Sequence, residues 1–245
     1  MKDIKISGYK FAYRNFREWF SIYKDIFLLN EYKFSSTTES PFIIDCGSHI
    51  GVSVLYFKKI FPRASIVAFE ANPSTFKLLK KNITQNKLRL VDLYNNAIGK
   101  KKGEVDFYVG NTKKGTWNWG DSAVKNDWYD PELYKTIRVP SVKLSRFINK
   151  QVDLLKIDIE GSELLVLEEI EPKLRFVNQI YIEFHGSNSN KDNSLKKIVA
   201  ILKKNKFNYS IRFPYTLFRP KKREISLRNI PKTNPLFLII NAKKQ

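Results

Sequence analysis

With 245 residues, 42% of them hydrophobic, the chain is long enough to bury a full-sized core, which excludes a disordered or fibrous polypeptide. Its one cysteine, Cys46, excludes an internal disulfide framework and favours a reducing compartment, so the cytoplasm is the expected location. The formal net charge of +20 indicates acidic partners but carries no information about the fold.

The first 40 residues are predicted to form a helical extension. Apolar side chains recur on one face of an amphipathic helix, at Phe16, Trp19, Phe20, Tyr23, Ile26 and Phe27. Such a face packs on the core, packs on a second copy in a homodimer, or lies on a membrane surface; packing is its usual fate and is the outcome we favour. No apolar run approaches the roughly 20 residues of a membrane-spanning helix, so we expect a soluble or peripheral protein.

Residues 41–245 are predicted to form one α/β domain, because short apolar strands alternate with helical segments as in βαβ units of a doubly wound sheet. Strands are predicted at 42–46, 65–70, 90–97, 105–109, 154–159, 179–184, 209–213 and 236–241, and helices at 52–61, 74–86, 163–169 and 195–205. Residues 110–136 lack periodicity and contain Trp117, Trp119 and Trp128; this segment is predicted to be a substrate flap or loop.

The end of the domain, residues 191–245, is strongly basic, with 15 lysines and arginines against Asp192 and Glu224. A surface of this kind binds RNA, anionic lipid or an acidic acceptor, or is only a solvated lysine-rich face. The charge alone leaves these alternatives open.

A glycine-containing turn follows the first strand of the domain, in the segment Asp45-Cys46-Gly47-Ser48-His49-Ile50-Gly51. Gly47 and Gly51 permit backbone torsions and a close approach of a ligand that a Cβ would block. Their G-x-x-x-G spacing differs from the dinucleotide fingerprint, so a nucleotide without a pyrophosphate fits better. Asp45 is expected to pair with the amino group of a methionine moiety, and Ser48 and His49 to lie against the cofactor.

The next two strands end in further candidate cofactor residues. Glu70 stands at the tip of the second strand, followed by Ala71, where an acid commonly accepts hydrogen bonds from both ribose hydroxyls. Asn96 and Ala97 end the third strand and are expected beside the adenine ring, although an asparagine there is also an ordinary turn former.

Three ionisable residues, Lys156, Asp158 and Glu160, share one side of the fourth core strand. Charges in register on a buried strand are costly unless they pair with one another or serve a site. The fifth strand ends in Glu183-Phe184-His185-Gly186.

Taken together, these segments resemble the FkbM family of methyltransferases. The turn D-x-G-A-N-x-G, the segments F-E-P-N-P and K-x-D-x-E-G-x-E, and an acidic strand ending near a histidine correspond to residues 45–51, 69–73, 156–163 and 183–185. Departures are Ser48-His49 in place of Ala-Asn, Ala71 in place of the first proline, and Ser145 where an acid is expected, which bears on acceptor choice.

The resemblance covers about residues 41–190. It implies a Rossmann-like sheet of seven strands with an antiparallel last strand and S-adenosylmethionine as cofactor. It also implies O-methyl transfer to a hydroxyl of a sugar, a polyketide or another small or lipid-linked acceptor.

The candidate catalytic residues are His185, Asp158 and Glu160. His185 is predicted to be the general base, because an imidazole titrates near neutral pH, and Asp158, which is also expected near the cofactor, to orient it or the acceptor. Alternatively, Asp158, Glu160 and His185 hold a divalent cation; the pattern leaves the metal undetermined. The competing function is an RNA methyltransferase that uses the basic C-terminal surface, although no N/D-P-P-Y/F motif follows the fourth strand.

Overall fold

The computed structural model describes residues 1–111, 120–127, 129–214, 224–227, 230–231 and 233–245. The three tryptophans of the predicted flap and most of the basic run 219–228 lie outside the described residues. The ends of the flap segment 110–136 belong to two strands described below.

The main sheet has seven strands: β3 (Phe42–Cys46), β4 (Ser65–Phe69), β5 (Val91–Tyr94), β9 (Leu154–Ile157), β10 (Gln179–Gly186), β11 (Phe207–Arg212) and β12 (Leu236–Lys244). Their order is β11-β12-β10-β9-β3-β4-β5, and only β12 runs antiparallel to its neighbours. The predicted seven-stranded sheet with an antiparallel last strand is therefore confirmed. Connections leave β3 and β9 in opposite directions, which opens a crevice at the carboxyl ends of these two strands.

Helices cover both faces of this sheet, as a doubly wound fold requires. They are α1 (Phe16–Tyr23), α2 (Val52–Ile60), α3 (Pro73–Gln85), α4 (Glu163–Ile170) and α5 (Leu195–Lys204). Every residue of β3 is buried, and its neighbours Ile43 and Ile44 point into different cores. The core around Ile44 includes α4 and α5, and the core around Ile43 includes α1, α2 and α3.

A second, three-stranded sheet was not predicted. It consists of β6 (Ala97–Ile98), β8 (Tyr134–Val142) and β7 (Gly103–Gly110) in that order, so the strand predicted at 105–109 lies outside the main sheet. The strand predicted at 90–97 is instead two strands, β5 and the beginning of β6, which belong to different sheets. Between them, the side chain of Asn95 donates hydrogen bonds to the carbonyl oxygens of Glu70 and Ala71. The strand β8 was missed because Pro140 and its charged residues are typical of an edge strand rather than a buried one.

The N-terminal residues differ from the predicted extension in beginning with a hairpin, β1 (Lys2–Ile6) and β2 (Tyr9–Tyr13), before α1. A short π-helix, Lys24–Leu28, continues α1. Trp19, Tyr23, Ile26 and Phe27 of the apolar face pack in the core, whereas Phe16 and Phe20 are exposed. Asn82 of α3 bonds both backbone groups of Ala12. No helix among the described residues has the length and apolar character needed to cross a membrane.

Candidate active site

A cavity of about 590 Å³ lies at the carboxyl ends of the central strands. Ten of the twelve predicted site residues line it: Gly47, Ser48, His49, Glu70, Ala71, Asn96, Ala97, Asp158, Glu160 and His185. Asp45 and Gly51 do not. The topology therefore brings side chains from five strand ends to one crevice, as parallel strands with a switch point do.

The turn after β3 requires glycine at Gly47. Its φ is +83°, and a Cβ there would lie 1.7 Å from the carbonyl oxygen of Asp158. The amides of Gly47 and Ser48 both donate to the carbonyl of Phe69, at 3.1 and 2.8 Å, which joins the turn to the end of β4. Gly47 thus lets three strand ends meet beneath the cavity.

Gly51 has a different role from the one predicted. Its φ is +88°, and a Cβ would lie 2.6 Å from a methyl carbon of Leu79. The absence of a side chain lets α2 begin directly against α3. Gly51 therefore shapes the scaffold behind the turn rather than the cavity surface.

Glu70 is held by the backbone. Its Oε2 accepts from the amide of His49 at 3.0 Å and its Oε1 from the amide of Asn72 at 2.8 Å. Burial raises the pKa of Glu70, and the two amides and His49 oppose that shift. The carboxylate is thereby fixed at the tip of β4, on the cavity wall.

His49, in the turn itself, has a positive φ of +48° and lies with its Nε2 3.6 Å from Glu18 of α1. Burial disfavours its charged form, but Glu18 outweighs burial and raises the pKa of His49. His49 therefore links the N-terminal segment to the turn.

Asp45 is not on the cavity surface, which corrects the direct contact predicted for it. It is fully buried; its Oδ2 accepts from the hydroxyl of Ser53 at 2.6 Å and its Oδ1 lies 3.1 Å from the ammonium of Lys156. A carboxylate in this position cannot reach a ligand amino group without leaving a buried cation unpaired. Asp45 instead supports the turn from below.

Lys156 is the buried cation that holds this region together. Its ammonium lies 3.1 Å from Asp45 and 3.2 Å from Asp158, and it donates to the carbonyl of Gly47 at 2.8 Å. Burial disfavours its charge, but the two carboxylates prevail and raise the pKa of Lys156. The paired arrangement considered for this strand is present, with Asp45 as a partner in place of Glu160.

His185 lies between two carboxylates. Its Nδ1 is 3.1 Å from Glu163 and its Nε2 is 3.4 Å from Glu160. Burial lowers the pKa of His185, but Glu160 and Glu163 raise it well above its usual value. An imidazolium with both nitrogens facing carboxylates has no lone pair to accept a proton. The geometry therefore does not support the predicted role of His185 as general base.

The N-terminal segment forms one wall of the cavity, which sequence reasoning missed. The hydroxyl of Tyr32 donates to Asp158 at 3.2 Å. Glu31 accepts from the hydroxyl of Tyr181 at 2.6 Å and forms a buried salt bridge with Arg212. Neither residue stands in a periodic pattern, so the sequence offered no signal for them.

Glu183 is the other residue that the predicted site omitted. It lines the cavity from β10, two residues before His185. One ligand-type atom from each of Asp158, Glu183 and His185 lies within 4.8 Å of the others, so the described residues place Glu183, not Glu160, in such a group. Because Asp158 and His185 already face charged protein groups, we assign no metal ligands here.

Ser145, which stands where the family pattern has an acid, is remote from this chemistry. Its hydroxyl donates to Glu169 at 2.6 Å and its amide donates to the same carboxylate at 3.0 Å. Ser145 is not among the described residues that line the cavity. The substitution therefore does not alter the described part of the cavity surface.

A sheet of this strand order, with a cavity at the switch point, a strand-end acid at Glu70 and no pyrophosphate-type glycine pattern, is the arrangement of the S-adenosylmethionine-dependent methyltransferases. The family model described as the methyltransferase FkbM domain matches residues 45–209. The chain therefore belongs to the FkbM methyltransferase family, whose cofactor is S-adenosylmethionine.

Several known proteins resemble the chain. "Methyltransferase 1" of Beauveria bassiana is 29% identical over 61% of this chain and 66% of its own length. The hexuronic acid methyltransferase AglP of Haloferax volcanii is 27% identical over 63% of this chain and 60% of its own. The crystal structure of an FkbM methyltransferase from Methylobacillus flagellatus superposes with a TM-score of 0.54 at 12% identity, over 85% of this chain and 45% of that one. The chain thus spans less than two thirds of each of these proteins.

Proposed function

We propose that the chain is an S-adenosylmethionine-dependent O-methyltransferase that acts on a hydroxyl of a sugar, a glycan or another small or lipid-linked acceptor. The observation that carries the proposal is the cavity that joins the Gly47 turn and Glu70 to the acids at the ends of β9 and β10. A hexuronic acid methyltransferase among the relatives supports a sugar acceptor.

The charged, polar and apolar side chains of the cavity suit the cofactor. Glu70, fixed by two amides, presents its carboxylate to ribose hydroxyls, and Asn96 with Ala97 and Phe107 offers a mixed polar and apolar wall for adenine. Asp158 and Glu183 supply negative charge for the cationic end. The residues present therefore fit the group.

The chain contributes position and electrostatics to the reaction. S-adenosylmethionine supplies an electrophilic methyl group on a sulfonium. The wall from Ile22 to Tyr32 and the ends of β9 and β10 would hold the acceptor oxygen in line with that methyl group and exclude water, which is mainly proximity catalysis. The acceptor hydroxyl also needs a group that takes its proton.

Calorimetric titration with S-adenosylmethionine tests the cofactor site, with Glu70→Ala as the variant expected to weaken binding. Absence of binding heat with both S-adenosylmethionine and S-adenosylhomocysteine would refute the proposal. Incubation of a fractionated cell extract with S-adenosylmethionine labelled in its methyl group then identifies the acceptor class. Label in the glycan or lipid fraction supports the proposal, and label in the RNA fraction alone supports the competing nucleic-acid function.

A further inference from the structure

Glu183 differs from the acids around it in the contacts of its side chain. Its carboxylate lines the cavity from the end of β10, and this side chain makes no hydrogen bond or salt bridge with the described residues. By contrast, Oδ2 of Asp158 binds both the ammonium of Lys156 and the hydroxyl of Tyr32, and Oε2 of Glu160 faces His185. Among these three acids, Glu183 is therefore the one with both carboxylate oxygens open to a ligand.

The remaining candidates for proton transfer are engaged. Both nitrogens of His185 face carboxylates, and both oxygens of Glu70 accept backbone amides. The hydroxyl of Tyr32 already donates a hydrogen bond to Asp158, and burial raises the pKa of Tyr32 well above the usual value. These side chains can shape the site but are poorly placed to take up a proton.

Resting on the methyltransferase function proposed above, we propose that Glu183 is the carboxylate that accepts the proton of the acceptor hydroxyl. In this step the acceptor oxygen forms a bond to the methyl carbon while the carbon–sulfur bond breaks and leaves its electron pair on sulfur. The hydroxyl proton passes to Glu183. A positive sulfonium and a negative carboxylate thereby become a neutral thioether and a neutral acid, so the buried site loses one charge of each sign.

The surroundings of Glu183 make its ionisation responsive to a bound cation. Burial and then Asp158 raise the pKa of Glu183 to about 8, while His185 and Lys156 oppose the shift. The charged and titratable groups that face it are Asp158, His185, Lys156, Glu31, Glu160, Tyr32 and Tyr181. With a pKa of about 8 the carboxyl is mainly protonated at pH 7, and a nearby positive charge lowers a carboxyl pKa by about 1–3 units. Binding of S-adenosylmethionine would therefore favour the ionised form of Glu183, which is the form that can accept a proton.

Proton release on cofactor binding tests this coupling without any acceptor. Calorimetry with S-adenosylmethionine at pH 7, in buffers of different ionisation enthalpy, should show release of about half a proton to one proton per site. Release should be much smaller with S-adenosylhomocysteine, which lacks the sulfonium charge, and should disappear in Glu183→Gln but persist in Glu104→Gln, an exposed control. Equal release in the wild type and in Glu183→Gln would overturn the inference.

NMR of ¹³C-labelled glutamate carboxyls tests the same coupling, with the Glu183 signal assigned by its loss in Glu183→Gln. That carboxyl should titrate above the usual range of a glutamate and move to lower pH when S-adenosylmethionine is added. No glutamate with that behaviour would overturn the inference. If the wild type binds neither S-adenosylmethionine nor S-adenosylhomocysteine, the proposed function fails instead, so the two failures are distinguishable.

The rate of label transfer to the accepting extract fraction tests the chemical step. At saturating S-adenosylmethionine, Glu183→Gln should lower kcat by about 10²–10⁴-fold, and Glu183→Asp should recover part of the rate. Glu183→Gln should also raise the Kd for S-adenosylmethionine, because release of a proton on binding requires that the ionised carboxylate favour the bound cation. A kcat within tenfold of the wild type would overturn the inference. Transfer that EDTA abolishes and Mg²⁺ restores would also overturn it, because a metal would then acidify the hydroxyl.

Discussion

Replacement of Lys156 by methionine should destabilise the protein by about 3–5 kcal/mol, the usual cost of breaking a buried ion pair. Methionine nearly matches the length of the lysine stem, so the loss comes from charge rather than from packing. Lys156 is 1% exposed and Asp45 is 0% exposed, with 3.1 Å between their charged atoms. Without the ammonium, the hydroxyl of Ser53 is the one side-chain partner that Asp45 keeps among the described residues.

Urea unfolding at pH 7 measures the change, with an unchanged m-value showing that the transition itself is the same. The double variant Asp45→Asn/Lys156→Met removes both charges and should recover most of the lost free energy of unfolding.

Lys197→Met, at an exposed position of α5, is the matched control and should change the free energy of unfolding by less than about 0.5 kcal/mol. A loss below about 1 kcal/mol in Lys156→Met would contradict the reasoning, since the cost of an unpaired buried charge is larger. A double variant as unstable as the single one would contradict it equally.

Four other changes test the site. Gly47→Ala should cost at least about 2 kcal/mol in urea unfolding, because of the positive φ and the contact with the carbonyl of Asp158; wild-type stability would contradict this. Glu70→Gln should raise the calorimetric Kd for S-adenosylmethionine about tenfold, or about 1.4 kcal/mol, and an unchanged Kd would exclude a ribose contact. Tyr32→Phe should lower the free energy of unfolding by about 0.5–1.5 kcal/mol through the lost hydrogen bond; no change would argue that water replaces it. For His185→Gln the loss of stability should be largest below pH 6.5, because folding raises the pKa of His185, and should shrink as the pH rises through the folded-state value; a loss independent of pH would refute an imidazolium.

The main sheet was predictable because each of its strands carries a strong local signal. Phe42–Cys46 begins with the apolar residues Phe42, Ile43 and Ile44 and leads into a glycine turn, and the prediction matches the observed bounds of β3. The small sheet was not predictable to the same degree, since its central strand β8 carries charges and Pro140 and is largely exposed. Local patterns report a strand that is buried on both faces much better than one that is mostly exposed.

Some features of the site were likewise predictable from the sequence and others were not. The residues that line the cavity near Gly47 and Glu70 follow from glycine conformation and strand-end position, which sequence spacing reveals. The ionisation of His185 does not, because it depends on Glu160 and Glu163 across a loop and a helix start. Asp45 illustrates the same limit: its position near the end of β3 was recognised, but the direction of its side chain depends on Lys156 of a neighbouring strand.

The wall formed by Ile22, Asp25, Ile26, Glu31 and Tyr32 lies outside residues 45–209, the stretch that matches the FkbM domain. If the proposed function holds, the residues that bind the methyl donor and those that contact the acceptor come from separate stretches of sequence. A chimera that receives another relative's first 40 residues should then keep the donor site and exchange part of the acceptor site. Acceptor choice could thereby change through one short N-terminal segment.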